Sequence, residues 1–180
     1  MALGWTRTTH RYKSLADPLD ALRMRLKELA GVHIGYGYRA SLLCWALNIS
    51  LEEILNEGMD ARFNRHRRLA ASFMAGIEAL GLRQLPVSKE IEANTLSAIY
   101  YPGGVDSSLM KRIGITAIIV AEALLPGVKD KYFRVGHMGA VTASDILSTL
   151  GAIEQALKQS GYSFGAGSGT KAAHEYLLRA

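Results

Sequence analysis

The hydrophobic period of the chain changes at Gly81, and that change limits the folds open to it. Before it, Leu51, Ile54, Leu55, Met59 and Phe63, then Leu69, Phe73, Ile77 and Leu80, recur at helical spacing. That spacing gathers side chains on one face of a helix. After it, residues 94–101 and 132–137 alternate apolar and polar side chains, the period of a half-buried strand. A chain carrying both periods buries its apolar surface by laying helices on a sheet.

Punctuation residues divide these stretches. Ser50 followed by Glu53 reads as a capping box, so one helix is predicted over residues 50–80, bent near Gly58 and closed by Gly81. Residues 82–86 are a short strand candidate, and residues 116–120, β-branched and mostly apolar, a buried one. Asp106 can cap a short helix through Ile113, stopped by Gly114. Thr142 opens a helix in which Ile146, Leu150, Ile153 and Leu157 share a face, and Gly161 ends it. Upstream, Asp17-Pro18 opens an amphipathic helix over residues 19–29, and residues 31–38 read as a glycine-weakened loop. Residues 165–169, with three glycines, read as a flexible hinge before a short helical tail. The expected fold class is α+β, a small, mostly antiparallel sheet with helices packed on one face.

At 180 residues, with 49% hydrophobic and 21% charged residues, the chain can bury one core of ordinary size. Its net charge of +5 is mild and scattered, and no aromatic-basic motif points to nucleic acid. Cys44 is the only cysteine, which excludes an internal disulfide and a cysteine-based metal cage. The five histidines lack metal-ligand spacing. No apolar stretch reaches the ~18–20 residues of a membrane span. A cytoplasmic, soluble protein without metal, membrane or nucleic-acid partner is expected. Arg62, Arg65, Arg67 and Arg68 share their helix with Glu52, Glu53, Glu57 and Asp60, and read as a solvated face.

One segment carries chemistry. Residues 132–137 form a strand bearing a single arginine, Arg134. A Gly136-His137-Met138-Gly139 turn and a capped helix follow. A guanidinium beside a tight turn is suited to bidentate binding of a carboxylate. Taken alone, Arg134 also fits a structural ion pair or an exposed strand residue.

Tyr132-Phe133-Arg134-Val135-Gly136-His137-Met138-Gly139, followed by Gly151-Ala152-Ile153-Glu154-Gln155-Ala156-Leu157, resembles the C-terminal domain of alanine–glyoxylate (serine–pyruvate) aminotransferases. These are class V pyridoxal-phosphate enzymes of fold type I. Ile54 to Phe63 with Arg65-His66-Arg67, then Leu80-Gly81-Leu82, residues 95–100 and residues 125–129, fall in the family's order. The resemblance implies an aminotransferase C-terminal-like domain at residues 47–162. Residues 1–46 match poorly, and residues 163–180 form a linker and tail.

The resemblance also implies that Arg134 binds the substrate α-carboxylate, and that the complete enzyme transfers an amino group between a small amino acid and a 2-oxo acid such as glyoxylate or pyruvate. The family's Schiff-base lysine and the aspartate facing the pyridine nitrogen belong to its large N-terminal domain. None of the eight lysines here lies in a match to the lysine motif. No catalytic residue is therefore assigned, and pyridoxal phosphate is not expected to bind this chain alone. The region 35–41 lacks the family's Thr-Pro step, so no phosphate ligand is assigned. Where the family has paired glycines, the chain has Glu122 and Ala123, and a carboxylate there is expected to repel an anionic substrate. The expectation is a truncated or split aminotransferase, inactive alone, completed by a large-domain partner or a homodimer. The alternative is a non-catalytic module that pairs with a transaminase subunit. The assigned helix face has a direct check: Ile153→Asp is expected to abolish cooperative unfolding by circular dichroism, whereas Arg134→Ala leaves it intact.

Overall fold

Gly58 adopts a φ of +81°, a left-handed conformation that costs glycine little and ends a helix. It separates α1 (Gly37–Glu57) from α2 (Met59–Ala79), where the sequence suggested one bent helix. The computed structural model describes Met24 and residues 37–179, and the chain divides at Gly58 into two units. The helix expected over residues 19–29 lies outside the described residues except for Met24, which is helical. No described helix is long and apolar enough to cross a membrane.

In the first unit, α1 begins well before Ser50, contrary to the capping box read from sequence. The Ser50 hydroxyl instead donates to the Ala46 carbonyl oxygen at 3.0 Å, the back-bond of a serine in a helix interior. Gly37 and Tyr38, expected in a loop, are already helical.

The second unit holds the sheet and its helices. β1 (Leu96–Tyr100), β2 (Ala121–Glu122) and β3 (Tyr132–Gly136) form an antiparallel sheet in the order β1-β3-β2. The candidate strand at 82–86 contributes only a bridge: Leu85 N donates to Ala98 O at 2.8 Å and Tyr100 N to Arg83 O at 2.9 Å. A short 3₁₀ turn, Lys89–Ile91, precedes β1. Residues 116–120 are not a strand. After α3 (Ser108–Gly114), the Thr116 hydroxyl caps the Ile113 carbonyl at 2.7 Å and Ala117 takes φ 64°, so the chain turns and leaves Ile119 exposed. β-branched composition was overridden by the local carbonyl demand of a helix end.

The α4 helix (Ala143–Gln159) opens on a true capping box, Thr142 with Asp145, and Ile146, Leu150, Ile153 and Leu157 are buried as their spacing predicts. They meet Phe73 and Ile77 of α2, Leu109 and Ile113 of α3, and Ile99 and Phe133 from the sheet in one core. The hinge expected at 165–169 is a fixed helix start. α5 (Ser168–Arg179) has its N-terminal amides held by α4, with Gly167 N and Thr170 N donating to the Glu154 carboxylate at 2.8 and 2.9 Å. A carboxylate there satisfies orphan donors and complements the helix dipole.

α2 packs so closely against α4 and α5 that only glycine fits at position 76. A Cβ on Gly76 would lie 2.6 Å from Leu150 Cδ1 and 2.9 Å from the Gly169 carbonyl oxygen. Overpacking of this kind costs about 1–3 kcal/mol. Gly76→Ala is therefore expected to lower the urea-unfolding free energy by about that amount. Gly103→Ala, where a Cβ meets nothing, should change it by less than about 0.5 kcal/mol.

Candidate carboxylate-binding site

Strand alternation decides where Arg134 points. Phe133 and Val135 are buried toward the helices, so Arg134 projects from the opposite face of β3, alongside Tyr132 and Gly136. Its Cα partners are Ala98 on β1 and Ala121 on β2, and neither methyl crowds it. Arg134 Nε donates to the Glu122 carbonyl oxygen at 2.7 Å. Among the described residues the two Nη nitrogens take no partner. Anchoring Nε to the backbone leaves the Nη edge open to a planar anion.

The expected repulsion from Glu122 does not arise in this register. Glu122 pairs with Phe133, so its side chain leaves on the other face. There, burial first and then the charges of Glu122 and Asp106 raise the pKa of the Tyr101 phenol. The group Glu122 offers Arg134 is its carbonyl.

The described residues do not fit pyridoxal phosphate. All six described lysines (Lys89, Lys111, Lys129, Lys131, Lys158 and Lys171) are exposed, and Lys89 is paired with Glu78 at 2.6 Å. A Schiff-base lysine needs a desolvated amine. A cleft of about 520 Å³ between the start of α2 and the Met138-Gly139 turn contains no lysine.

That turn is held by Arg65, and the end of α5 by Arg68, both expected on a solvated face. Arg65 donates through Nη1 to Val141 O at 2.9 Å and through Nη2 to Gly139 O at 3.0 Å, and Arg68 donates to Leu177 O at 2.6 Å. Both are structural anchors. Below the turn His137 is fully buried, its Nε2 3.0 Å from the Ser97 hydroxyl and its ring 5.6 Å from that of Phe73. Among the described residues, buried His137 Nδ1 and His66 Nε2 have no hydrogen-bond partner. Ser97 and His137 form a dyad sealed from substrate, so it does not serve as a nucleophile. Met59 and Phe63, placed on one helix face by their spacing, are exposed at the rim of the 520 Å³ cleft.

No protein-family model matches the chain. It is 36% identical over 138 residues to an uncharacterized aminotransferase of Methanocaldococcus jannaschii, covering 76% of this chain and 35% of that protein. It is 32% identical over 177 residues to the serine–glyoxylate aminotransferase of Arabidopsis thaliana, covering 98% of this chain and 43% of that protein. The crystal structure of the ureidoglycine–glyoxylate aminotransferase of Bacillus subtilis matches with a TM-score of 0.71 at 28% identity, over 75% of this chain and 35% of the other. The chain resembles the C-terminal domain of class V aminotransferases. It spans well under half the length of each of these relatives. Its α+β architecture is that of the aminotransferase small domain.

This aminotransferase-like domain has a buried group that ties its stability to pH. Burial lowers the His137 pKa below its ordinary 6.5, and nearby His66 acts in the same direction. The unfolded chain takes up this proton near pH 6.5 and the folded chain only at lower pH. Stability is then full above about pH 6.5 and falls as pH drops below it. Urea midpoints between about pH 7.5 and pH 5 should show that decline, and His137→Asn, though less stable overall, should show a shallower one.

Proposed function

We propose that the chain is the substrate-carboxylate-binding small domain of an aminotransferase that moves an amino group between a small amino acid and a 2-oxo acid. The observation that carries this reading is Arg134. Its Nε is held by a main-chain carbonyl, its Nη edge is open among the described residues, and alanines flank it on both neighbouring strands. The relatives' names support the substrate class, since serine and glyoxylate both present a carboxylate next to the reacting carbon. Pyridoxal phosphate, when bound, supplies the electron sink of such a transfer. In this reading the group and its reactive lysine come from a large-domain partner, and Arg134 fixes the position and orientation of the substrate.

A second reading has one specific observation in its favour. Ile115, Ile119, Leu124 and Leu125 are exposed along the segments that flank β2, and apolar surface of this kind suits a protein partner. The domain would then pair with a transaminase subunit without taking part in its chemistry.

Complementation separates the two. The chain is co-expressed with the N-terminal large domain of a serine–glyoxylate aminotransferase, and glyoxylate-dependent consumption of serine is measured. Activity that falls at least about 100-fold with Arg134→Ala supports the carboxylate assignment, because two charge-assisted hydrogen bonds are lost. Equal activity in Arg134→Ala would overturn it. A stable complex without activity would favour the pairing module.

A further inference from the structure

We propose that the Tyr132 hydroxyl is a positioning group for Arg134, acting through the backbone of residues 122–125. The role in binding rests on the reading of Arg134 given above, whereas the positioning itself does not. β2 is only two residues long and lies at the sheet edge, so its ladder alone fixes the Glu122 carbonyl weakly. The residues that follow add little apolar anchorage. Ala123 is buried, but Leu124 and Leu125 are 65% and 52% exposed.

Among the described residues, one side-chain oxygen adds the hold that the ladder lacks. Tyr132 Oη accepts from Leu124 N at 3.1 Å and from Leu125 N at 3.0 Å. Two consecutive amides converging on one acceptor fix both the position and the direction of the chain that leaves β2. The phenol can serve as this post because it is itself held. Tyr132 is only 3% exposed, and its ring stands edge-on to that of Tyr100 at 6.5 Å, with the Arg83 guanidinium 4.6 Å from the Tyr100 ring centre. Tyr132 and Arg134 share one face of β3, two residues apart. The Tyr132 hydroxyl thus fixes residues 124–125, these fix the Glu122 carbonyl, and that carbonyl fixes Arg134 Nε. A guanidinium ordered before its ligand arrives binds more tightly, because less freedom is lost on binding.

The test is nitrogen-15 NMR on the full chain, reading the Arg134 Nε–H signal, with pyruvate as the carboxylate probe. In Tyr132→Phe, which removes one oxygen atom, solvent exchange of Arg134 Nε–H should accelerate about tenfold while the Ile99 and Val135 amides keep their protection. Leu124→Pro, which removes one of the two donors and leaves Tyr132 untouched, should give a smaller acceleration of the same signal. Leu124→Ala, which keeps the amide, should give none. Unchanged Nε–H exchange in both Tyr132→Phe and Leu124→Pro would overturn the proposal. If Tyr132→Phe loses its core protection as well, Leu124→Pro decides alone. Pyruvate affinity is the separate arm: a loss of about twofold in Tyr132→Phe is expected, and one of about fivefold in Arg134→Ala. Accelerated exchange with pyruvate affinity unchanged in all variants would leave the positioning intact and refute the carboxylate reading.

Discussion

The pairing of Ile99 with Phe133 is the contact on which the arrangement depends. Both side chains are fully buried between sheet and helices, and each contributes about 1.5–3 kcal/mol by leaving water. Because side chains alternate along a strand, burying Phe133 sends Arg134 to the other face. A slip of one residue would drive a guanidinium into the core and expose the phenyl ring, a change the fold cannot absorb. The direction of the one chemically distinctive side chain is thus decided by the packing of its neighbour. Ala98 and Ala121 are carried to its sides by the same register, and the Glu122 carboxylate is carried away.

Elements whose local signals agreed with one another were legible in the sequence. α4 has its capping residue, its apolar stripe and its closing Gly161 all pointing to the same helix, and β3 alternates from Phe133 to Gly136. The misreadings share a different cause. Ser50 has the composition of a cap, but the helix around it is already established, so its hydroxyl bonds backward to Ala46. Residues 116–120 have strand composition, yet Thr116 is recruited to finish α3. Residues 165–169 look flexible because of their glycines, while a carboxylate from α4 orders the helix start and Gly169 is required for contact with Leu80. Arg65 and Arg68 are anchored by carbonyls 76, 74 and 109 residues away, a distance that no local pattern reports.

The candidate site divides along the same line. Arg134 could be singled out because a lone cation in an alternating strand before a glycine turn is locally unusual. The groups that orient it could not. Tyr132 is an ordinary strand residue by composition, and its significance comes from where the Leu124 and Leu125 amides arrive. The sealed Ser97–His137 pair shows the converse hazard, since two residues with catalytic chemistry meet at hydrogen-bond distance where no substrate can reach. Geometry gives Arg134 an open edge and denies one to His137, and access rather than residue type separates them.

An open edge is also why Arg134 has limited strength by itself. On a sheet face in contact with water, a guanidinium and a carboxylate attract by about 1 kcal/mol, because water screens both charges. The same pair enclosed by a second wall is several times stronger, and only enclosure turns orientation into discrimination between substrates. The sheet supplies a cation, an anchoring carbonyl and small flanking residues, but the described lysines of the chain are all exposed. Under the proposed function its chemistry is that of one half of a site. The exposed Ile115, Ile119, Leu124 and Leu125 lie on the segments flanking the strand that anchors Arg134, so a partner covering them could also exclude water from the guanidinium. Burial of that apolar surface and the strengthening of the carboxylate contact would then be parts of one event.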